Sequence, residues 1–567
     1  MKILIIYPWF LEKRVHYEED VLAVPMGAYY VAAMLRANGY DVEIINTLVL
    51  SNGPEEIERI LLEKKPDVAA FTVLHQNRFG AIDIAETAKR LIPGVITVFG
   101  GIGATNLSGL LLNNYDSIDY IARGEGETAF LELIRFIEQK KSGIRNDLPG
   151  HIKGLSYRNG DSVIQNQKGG FVEELDALPD PARYFTFNHV SLTRGCPGKC
   201  AFCGSPDFWQ GRVRFHSPEY FVDQLSRLYE KGVRFFYVSD DMFTVRPELV
   251  KTVCRMIMAR KIAINWAAIS HVRYVDEEML YLMRLAGCIQ ISFGVESGSS
   301  VILEKLNKRH TAKEVKRAFD LARKYGIMAR AYYIYGCPGE SEHTIGESIA
   351  LLDTTKPQAA LFYVLDIFPG TALYEDFKKR KGVTDDIWLK RVEDILYYET
   401  DPDLTQDMVL GFGKRLRNHF YGNLTAYCRF PEWEKDAAIE ALNAMRSDFL
   451  SRLAMTLTHG DYARVSSVSG KEETARALYE KALSLHPDYR AYLGLGIHHQ
   501  KKRDFKKSIG ILEEGVRRYP YYEPLSICLG VSLMNTGKMR EAADIFRRFP
   551  ESPDAARFLD VCGKETG

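Results

Sequence analysis

The sequence has no excess charge of either sign, no long apolar run and few cysteines for its length, nine among 567 residues. Lysine plus arginine equals aspartate plus glutamate, with 74 residues of each kind among 567, so strong non-specific binding to nucleic acid is not implied. No segment approaches the roughly 18 consecutive apolar residues that a membrane-spanning helix requires. Six of the nine cysteines are scattered singly and are interpreted as buried free thiols of a reducing cytoplasm: Cys254, Cys288, Cys337, Cys428, Cys528 and Cys562.

The start of the chain also lacks the pattern of a signal peptide. Met1 and Lys2 lead directly into the apolar run Ile3–Ile6, which is too short for a secretory core and predicts a first strand. We therefore expect a cytoplasmic protein with no transmembrane segment. Its length suffices for three or four domains.

Residues 1–138 alternate short apolar runs with helical patterns, which predicts an α/β domain built on a doubly wound parallel sheet. Ligands of such sheets bind beyond the carboxyl ends of the strands. The expected strands are Lys2–Tyr7, Asp41–Asn46, Val68–Val73, Val95–Phe99 and Ser117–Ala122. The expected helices are Gly27–Asn38, Pro54–Lys64, Ala81–Leu91 and Glu127–Glu138.

The remaining chain divides into four further segments. Residues 139–188 predict a linker with a hairpin at Gly154–Gly160, and residues 385–464 predict a helical region that caps the site or binds substrate. Residues 189–384 again alternate strand and helix, which predicts a partial (β/α)6 barrel. Its expected strands are Val190–Thr193, Phe235–Val238, Ile264–Ala268, Ile289–Gly294, Met328–Tyr335 and Ala360–Ile367.

Residues 465–567 contain an internal repeat. Leu495-Gly496 recurs 34 residues later as Leu529-Gly530. This pattern resembles tetratricopeptide repeats, in which helical pairs stack into a short all-α solenoid. Generic helical hairpins are the alternative. The resemblance implies a surface that recruits a protein partner.

Three cysteines lie within eight residues, in the segment Cys196-Pro-Gly-Lys-Cys200-Ala-Phe-Cys203. Three thiolates cannot close a tetrahedral structural zinc site, and no fourth Cys or His follows at finger spacing. A four-iron cluster held by three thiolates keeps one iron open, and an open iron can bind and reduce a ligand. The alternatives are a partial zinc site or a chance cluster of cysteines.

The cysteine spacing resembles that of the radical S-adenosylmethionine (SAM) superfamily. The resemblance implies that Cys196, Cys200 and Cys203 ligate a [4Fe-4S] cluster and that Phe202 lies beside the adenine of SAM. It further implies reductive cleavage of SAM to a 5′-deoxyadenosyl radical by electrons from an external donor.

Several strand ends of the expected barrel also resemble this superfamily. Asp240 and Asp241 match a carboxylate pair near the SAM amino group, although a helix N-cap or turn is the alternative. Glu296 and Ser297 match a strand-end site that faces the SAM ribose. Gly336 begins a Gly-x-Pro-Gly-Glu turn that shapes the backbone around SAM, and Arg330 is a weaker candidate for its carboxylate.

Residues 1–138 resemble the cobalamin-binding domain that precedes some radical SAM barrels. The resemblance rests on Pro25-Met26-Gly27 before the first helix, Thr72 at a strand end, the run Gly100-Gly101-Ile-Gly103, and Gly124-Glu125 before the closing helix. Glycines let the backbone approach a bulky ligand closely. These residues are the candidate cobalamin contacts.

Two sequence motifs that this domain lacks limit the ligands that it is expected to bind and the way in which it holds them. The first strand is followed by Pro8-Trp9 and not by the Gly-x-Gly-x-x-Gly fingerprint of dinucleotide binding. The Asp-x-His-x-x-Gly motif that ligates cobalt in some cobalamin proteins is absent, since His16 and His75 are the only histidines of residues 1–138 and lack that context. Cobalamin held without a histidine ligand is expected; a domain that kept the fold and lost the cofactor is the alternative.

Together these resemblances imply a cobalamin-dependent radical SAM enzyme that methylates an unactivated carbon of a small-molecule, lipid or peptide substrate. A radical rearrangement or cyclisation without methyl transfer is the alternative within enzymes. A repeat-based scaffold with a vestigial barrel is an alternative from another class, but the intact cysteine triplet argues against it. Methylthiolation of tRNA lacks support, because the chain has no second cysteine triplet and no basic tail.

Overall fold

A computed structural model describes residues 1–11, 24–144, 147–435 and 439–566. In the N-terminal domain the strands are β1 Lys2–Tyr7, β2 Asp41–Asn46, β3 Val68–Thr72, β4 Ile96–Gly100, β5 Tyr120–Ala122, β6 Leu155–Asn159 and β7 Ser162–Gln165. The helices are α1 Met26–Ala37, α2 Gly53–Lys64, α3 Arg78–Leu91, α4 Ile102–Asn106, α5 Ser108–Asn114 and α6 Gly126–Lys141.

These strands form one sheet in the order β2-β1-β3-β4-β5-β6-β7. The first five strands are parallel, and both faces are covered by helices because successive side chains of a strand point to opposite faces. Ile3 and Ile5 of β1 pack with the α1 and α6 face, whereas Leu4 and Ile6 pack with the α2 and α3 face. The prediction of a doubly wound sheet is confirmed.

The hairpin expected in a linker is instead part of this sheet. Strand β6 pairs antiparallel with β5, and β7 pairs with β6. Leu155 and Tyr157 of β6 are buried, so the hairpin extends the domain core and covers the edge that β5 would otherwise expose.

The central region contains six parallel strands: β8 His189–Val190, β11 Phe235–Val238, β12 Asn265–Ser270, β13 Cys288–Glu296, β14 Met328–Tyr335 and β15 Ala359–Val364. They form one sheet in the order β15-β14-β13-β12-β11-β8, which confirms the partial barrel. Short antiparallel pairs join β9 Thr193–Arg194 with β10 Arg214–Phe215, and β16 Asp366–Ile367 with β17 Ile395–Leu396. The segment expected as one first strand is thus divided between β8 and β9, and β9 leads to the cysteine loop.

The helices of this region lie between the strands and after them. They are α7 Ser205–Phe208, α8 Pro218–Glu230, α9 Pro247–Ala259, α10 Glu277–Leu285, α11 Ser300–Lys305, α12 Ala312–Lys324, α13 Glu342–Thr355, α14 Ala372–Lys381 and α15 Gln406–Tyr427. Helix α15 packs on α13 and on β15. It therefore covers the outer side of the last barrel strand, at a flank of the barrel.

The C-terminal tail is helical and each helix packs on the next. Its helices are α16 Glu440–Thr458, α17 Lys471–Leu485, α18 Tyr489–Lys501, α19 Phe505–Arg518, α20 Glu523–Met534, α21 Met539–Phe546 and α22 Pro553–Thr566. A close contact recurs with the 34-residue period of the sequence: Gly496 lies against the Leu512 side chain, and Gly530 lies against Phe546. The assignment of this tail to the tetratricopeptide family stays a prediction.

The first tail helices are joined to the barrel core. Leu478 and Tyr479 belong to the same buried cluster as the barrel strands. The Asp448 carboxylate accepts hydrogen bonds from Arg284 of the barrel, from Arg452, and from Arg490 of α18. The tail is therefore anchored to the barrel and is not a freely hanging arm. Across the described ranges, no helix is both long enough and apolar enough to cross a membrane.

Candidate functional site

A cavity of about 530 Å³ lies between the N-terminal sheet and the cysteine loop. On one side it is lined by residues that follow the strands, including Thr72, Gly100 and Gly101. On the other side it is lined by Cys203 and Asp241 of the barrel. The carboxyl ends of both sheets therefore face one shared space, as parallel sheets place their ligands.

The candidate cobalamin contacts converge on this cavity with one exception. Its lining includes Pro25, Met26, Gly27, Thr72, Gly100, Gly101, Gly124 and Glu125. Gly103 is not part of the lining: a Cβ there would lie 2.5 Å from the Leu74 backbone, so this glycine permits two loops to touch. Gly101 has φ +93°, a conformation that favours glycine.

The cavity continues down between the sheet and helices α1 and α6. This deeper part is lined by apolar residues from the middle of the strands and from the helices: Ile5, Ala70, Val98, Val31 and Phe130. This apolar slot fits a flat apolar group. The rim above it, which contains Gly100 and Gly101, leaves room for a wider group. The glycine-lined rim and the apolar slot below it therefore fit the corrinoid that the resemblance implies.

His75, which follows β3, does not line the cavity. Its ring stacks on Phe368 of the barrel with centroids 5.3 Å apart, and burial lowers its pKa to about 3. The other histidine of residues 1–138, His16, lies outside the described residues.

The three candidate cluster ligands differ from the other six cysteines in exposure. Cys196, Cys200 and Cys203 are half-buried, whereas the other six are buried. Burial raises the pKa of the Cys203 thiol to about 12, so iron binding would have to displace its proton. Within the described ranges, no group of three or more His, Cys, Asp or Glu side chains is arranged for a single metal ion. The half-buried triplet fits a larger cluster by its accessibility and spacing.

The cysteine loop is in direct contact with the segment of the N-terminal domain that follows β4. A Cβ placed on Gly204, next to Cys203, would lie 3.0 Å from Ile102 Cδ1 in α4. Asn106 Nδ2, at the end of the same helix, donates a 2.7 Å hydrogen bond to the Pro369 carbonyl of the barrel. Cys200 and Cys203 also line a second cavity of about 690 Å³ on another side of the loop.

The two candidate aspartates have different surroundings. Asp240 is buried and its Oδ1 accepts 2.9 Å hydrogen bonds from Ser191 Oγ and the Leu192 amide. Burial raises the pKa of Asp240 to about 7. Asp241 lines the cavity, and its Oδ2 accepts a 2.9 Å hydrogen bond from Ser205 Oγ. Asp240 thus holds the residues between β8 and β9, ahead of the cysteine loop, and Asp241 is the carboxylate that reaches the open space.

Glu296 lies at the end of β13 in a left-handed conformation with φ 60°. Its Oε1 accepts a 2.9 Å hydrogen bond from Lys308 Nζ, and both side chains are largely buried. Burial lowers the pKa of Lys308 and the Glu296 carboxylate raises it, and the resulting pKa lies above its usual value. A non-glycine residue held at positive φ is typical of functional sites. Lys308, which acts electrostatically on Cys200 and Cys196, gave no signal in the sequence.

The remaining candidates mainly shape the backbone. Ser297 Oγ lies 3.3 Å from Ser348 Oγ, and Phe202 packs against the barrel core. Gly336 has φ +77°, and its amide donates to the Glu340 carboxylate, which closes the Gly-x-Pro-Gly-Glu turn. Arg330 lies in register with Ser292 and Ala359, below the strand end that carries Glu296.

Comparison with known proteins agrees with this geometry. The family model of the radical SAM superfamily matches residues 190–352, and that of the B12 binding domain matches residues 20–134. An uncharacterized methyltransferase of Pyrococcus horikoshii is 30% identical over 387 residues, which cover 66% of this chain and 83% of that protein. The anaerobic magnesium-protoporphyrin IX monomethyl ester cyclase of Cereibacter sphaeroides is 27% identical over 375 residues, covering 63% of this chain and 61% of that protein.

Among solved structures, the chain is similar to the radical SAM methyltransferase TsrM of Kitasatospora setae, which was solved with cobalamin and a [4Fe-4S] cluster bound. The TM-score is 0.60 with 16% sequence identity, and the match covers 85% of this chain and 100% of that chain. At this identity the similarity concerns the fold.

Proposed function

This chain belongs to the radical SAM superfamily and carries a B12-binding domain, and from that premise we propose that it is a cobalamin-dependent methyltransferase acting on an unactivated carbon. The single observation that carries the proposal is the shared cavity. It places the glycine-rich strand ends and Cys203 on opposite walls of one space, so a methyl donor and a cluster could act on the same substrate.

When bound, a [4Fe-4S] cluster would supply an electron that cleaves SAM to a radical able to remove hydrogen from carbon, and a corrinoid would carry the methyl group. The residues of the chain hold and shield these groups. Cys196, Cys200 and Cys203 would hold the cluster, because their half-buried thiols lie together on one loop.

Two charged side chains suit the polar end of SAM. Asp241 reaches the cavity next to Ser205 and would accept hydrogen bonds from an ammonium group. Lys308, held at 2.9 Å by Glu296, would donate to a carboxylate, because ion-assisted hydrogen bonds are the strong ones at a buried site.

The corrinoid would lie over Gly100 and Gly101, with its apolar appendage in the slot beside Ala70. Phe208 and Trp209, which follow the cysteine loop, line the same cavity. Their aromatic rings would exclude water, which protects a carbon radical from side reactions.

Ring formation without methyl transfer is the second candidate function. The observation that favours it is the 27% identity to an anaerobic magnesium-protoporphyrin IX monomethyl ester cyclase. The cavity is compatible with either chemistry, since both need a radical next to a corrinoid-type domain.

The partners follow from the same chemistry. The substrate is a small molecule, lipid or peptide that enters the shared cavity, and an external one-electron donor reduces the cluster. The tail, with its 34-residue period, would present a surface for a protein partner.

The test uses anaerobic protein reconstituted with iron, sulfide and hydroxocobalamin, then given a strong reductant and SAM with a labelled methyl group. We expect about four irons and one corrinoid per chain, label in the corrinoid fraction, and formation of both S-adenosylhomocysteine and 5′-deoxyadenosine. The Cys196→Ala variant should lose iron and 5′-deoxyadenosine, whereas Cys254→Ala is the matched control and should keep both. Formation of 5′-deoxyadenosine alone would favour the cyclisation candidate, and retained SAM cleavage in Cys196→Ala would refute the cluster assignment.

A further inference from the structure

Four buried charges join the two domains at one wall of the cavity. Arg194 Nη1 donates to Glu125 Oε1 at 2.7 Å, and Arg194 Nη2 donates to Glu127 Oε1 at 2.7 Å. Arg214 forms a bidentate ion pair with Glu125: Nη1 donates to Oε2 at 2.8 Å and Nη2 donates to Oε1 at 2.9 Å. All four side chains are at most 10% exposed. The interdomain clamp is defined as Glu125, Glu127, Arg194 and Arg214.

The clamp connects the two parts of the proposed site through short stretches of backbone. Arg194 lies two residues before Cys196, and its strand pairs with the strand of Arg214. Glu125 immediately precedes helix α6, Glu127 lies in its first turn, and both line the cavity together with Arg194. A displacement at the clamp would therefore move the cysteine loop relative to the corrinoid wall.

A third segment is bound to the same charges. The Val172 amide donates to Glu125 Oε2 at 2.7 Å, and the Val172 carbonyl accepts from Arg214 at 2.6 Å. The Arg194 guanidinium lies 4.8 Å from the ring centre of Tyr30, which also lines the cavity. Helix α1 and the segment after the hairpin are thus tied to the cysteine loop through one cluster.

The buried ion pairs of the clamp are better suited to fixing the relative position of the two domains than to stabilising the fold. Removing two ion pairs from water is costly, and apolar replacements of similar volume are often as stable. Such ion pairs do fix geometry, because the planar guanidinium group sets the angle and distance at which each carboxylate binds. Burial raises the pKa of Glu125, but Arg214 and Arg194 lower it below its usual value overall, so the carboxylate stays ionised and paired.

We propose that the interdomain clamp is a positioning device that sets the distance between the cluster loop and the corrinoid wall. The proposal rests on the proposed function, because it deepens the role of the same cavity. In a two-cofactor site, a misplacement of about 1 Å is enough to reduce productive transfer strongly. Breaking the clamp should therefore change how SAM is divided between methyl transfer and radical formation.

The central variant is Glu125→Gln, which keeps the shape of the side chain and removes its charge. It leaves Arg214 without a carboxylate partner and Arg194 with Glu127 alone, and an uncompensated buried charge loosens its surroundings. Glu125→Gln combined with Arg214→Gln restores neutrality and should recover part of the effect. Glu173→Gln is the control, because it removes the same charge from an exposed pair with Arg212.

Two readouts are measured on protein loaded with iron, sulfide and hydroxocobalamin. Hydrogen exchange of the peptide covering residues 194–205 reports the loop itself and requires no turnover; we expect it to rise about tenfold in Glu125→Gln. The ratio of S-adenosylhomocysteine to 5′-deoxyadenosine, measured at equal cofactor loading, reports positioning; we expect it to fall about tenfold. A merely structural role would lower cofactor loading and leave this ratio unchanged.

The outcomes separate the two proposals. If the unsubstituted protein forms neither product, the proposed function fails, while hydrogen exchange still decides whether the clamp holds the loop. If Glu125→Gln keeps the exchange rate and the ratio of Glu173→Gln, the clamp proposal is refuted. If Glu125→Gln does not fold, Glu127→Gln takes its place because it removes a single bond to Arg194, and an unchanged exchange rate and ratio there refute the proposal equally.

Discussion

His75 stacks on Phe368 with ring centroids 5.3 Å apart and an interplanar angle of 11°. This contact joins the loop after β3 to the turn after the last barrel strands, and it keeps the imidazole away from the cavity that its neighbour Leu74 lines. Neither ring nitrogen of His75 has a hydrogen-bond partner in the part of the chain that the structure describes.

We therefore predict that His75 does not ligate cobalt. The Co(II) spectrum of bound cobalamin, recorded by electron paramagnetic resonance, should show no splitting from a histidine nitrogen and should be the same in His75→Leu. The variant should fold normally, because replacing an unpartnered buried polar group by an apolar one of similar size is neutral or stabilising. Nitrogen splitting that His75→Leu removes would contradict the assignment, and splitting that it keeps would come from another nitrogen, such as that of the cofactor's own base.

Filling the corrinoid side of the cavity should abolish cobalamin binding and spare the cluster. Gly27 is the suitable position, since it lines the cavity and a Cβ there meets no atom within 4 Å. Gly101 is unsuitable, because its φ of +93° and a Cβ 2.6 Å from the Val73 carbonyl would strain the backbone.

The measurement is cobalt and iron content after gel filtration of Gly27→Trp. We expect iron to be retained and cobalt to be lost. Gly510→Trp is the control, as this glycine also lies in a helix with open space around its Cβ. Full cobalt binding by Gly27→Trp would place the corrinoid elsewhere.

Lys308 should contribute to SAM binding through its charge. Lys308→Met should weaken SAM binding to the reconstituted enzyme by roughly tenfold to a hundredfold, the range expected for loss of a hydrogen bond to a charged group, while Lys308→Arg should retain most of it. Equilibrium dialysis with labelled SAM measures the affinity, and iron content verifies the cluster. The exposed Lys313→Met serves as the control. Equal SAM affinity in Lys308→Met and Lys313→Met would show that Glu296 and Lys308 only stabilise the strand end.

Asp448 should anchor the tail to the barrel. Asp448→Asn leaves Arg284 and Arg490, both at most 10% exposed, without their shared carboxylate, and should cost about 3 kcal/mol in unfolding free energy. Arg476→Gln, which opens exposed pairs within α17, should change it little. Urea unfolding followed by circular dichroism measures the difference.

The pH dependence of this anchor has a defined sign. Burial alone would raise the pKa of Asp448, but Arg284, Arg452 and Arg490 lower it well below its usual value. A carboxyl with a lowered folded-state pKa stabilises the fold fully above the unfolded pKa, near 4, and loses that contribution as the pH falls further. The difference between Asp448→Asn and the unsubstituted protein should therefore be constant from pH 7 to 5 and shrink below pH 4.

The sequence by itself determined the features that depend on residues close together in the chain. The spacing of Cys196, Cys200 and Cys203 is local, and so are the apolar periods that give the doubly wound sheet and the partial barrel. Glycine positions such as Gly101 and Gly336 are local in the same sense, because a positive φ is a property of one residue.

The tertiary structure alone decided which charged groups meet. Glu125 looked like a cofactor contact in sequence, yet its carboxylate is held by Arg194, 69 residues later. Lys308 approaches the cysteines only because the segment before it packs on the cysteine loop, where Asn307 donates to the Lys199 carbonyl. The hairpin after residue 154 joins the N-terminal sheet only because β5 offers a free edge. These contacts depend on how separate elements pack, and the local periodicity of the sequence does not predict which distant residues come into contact.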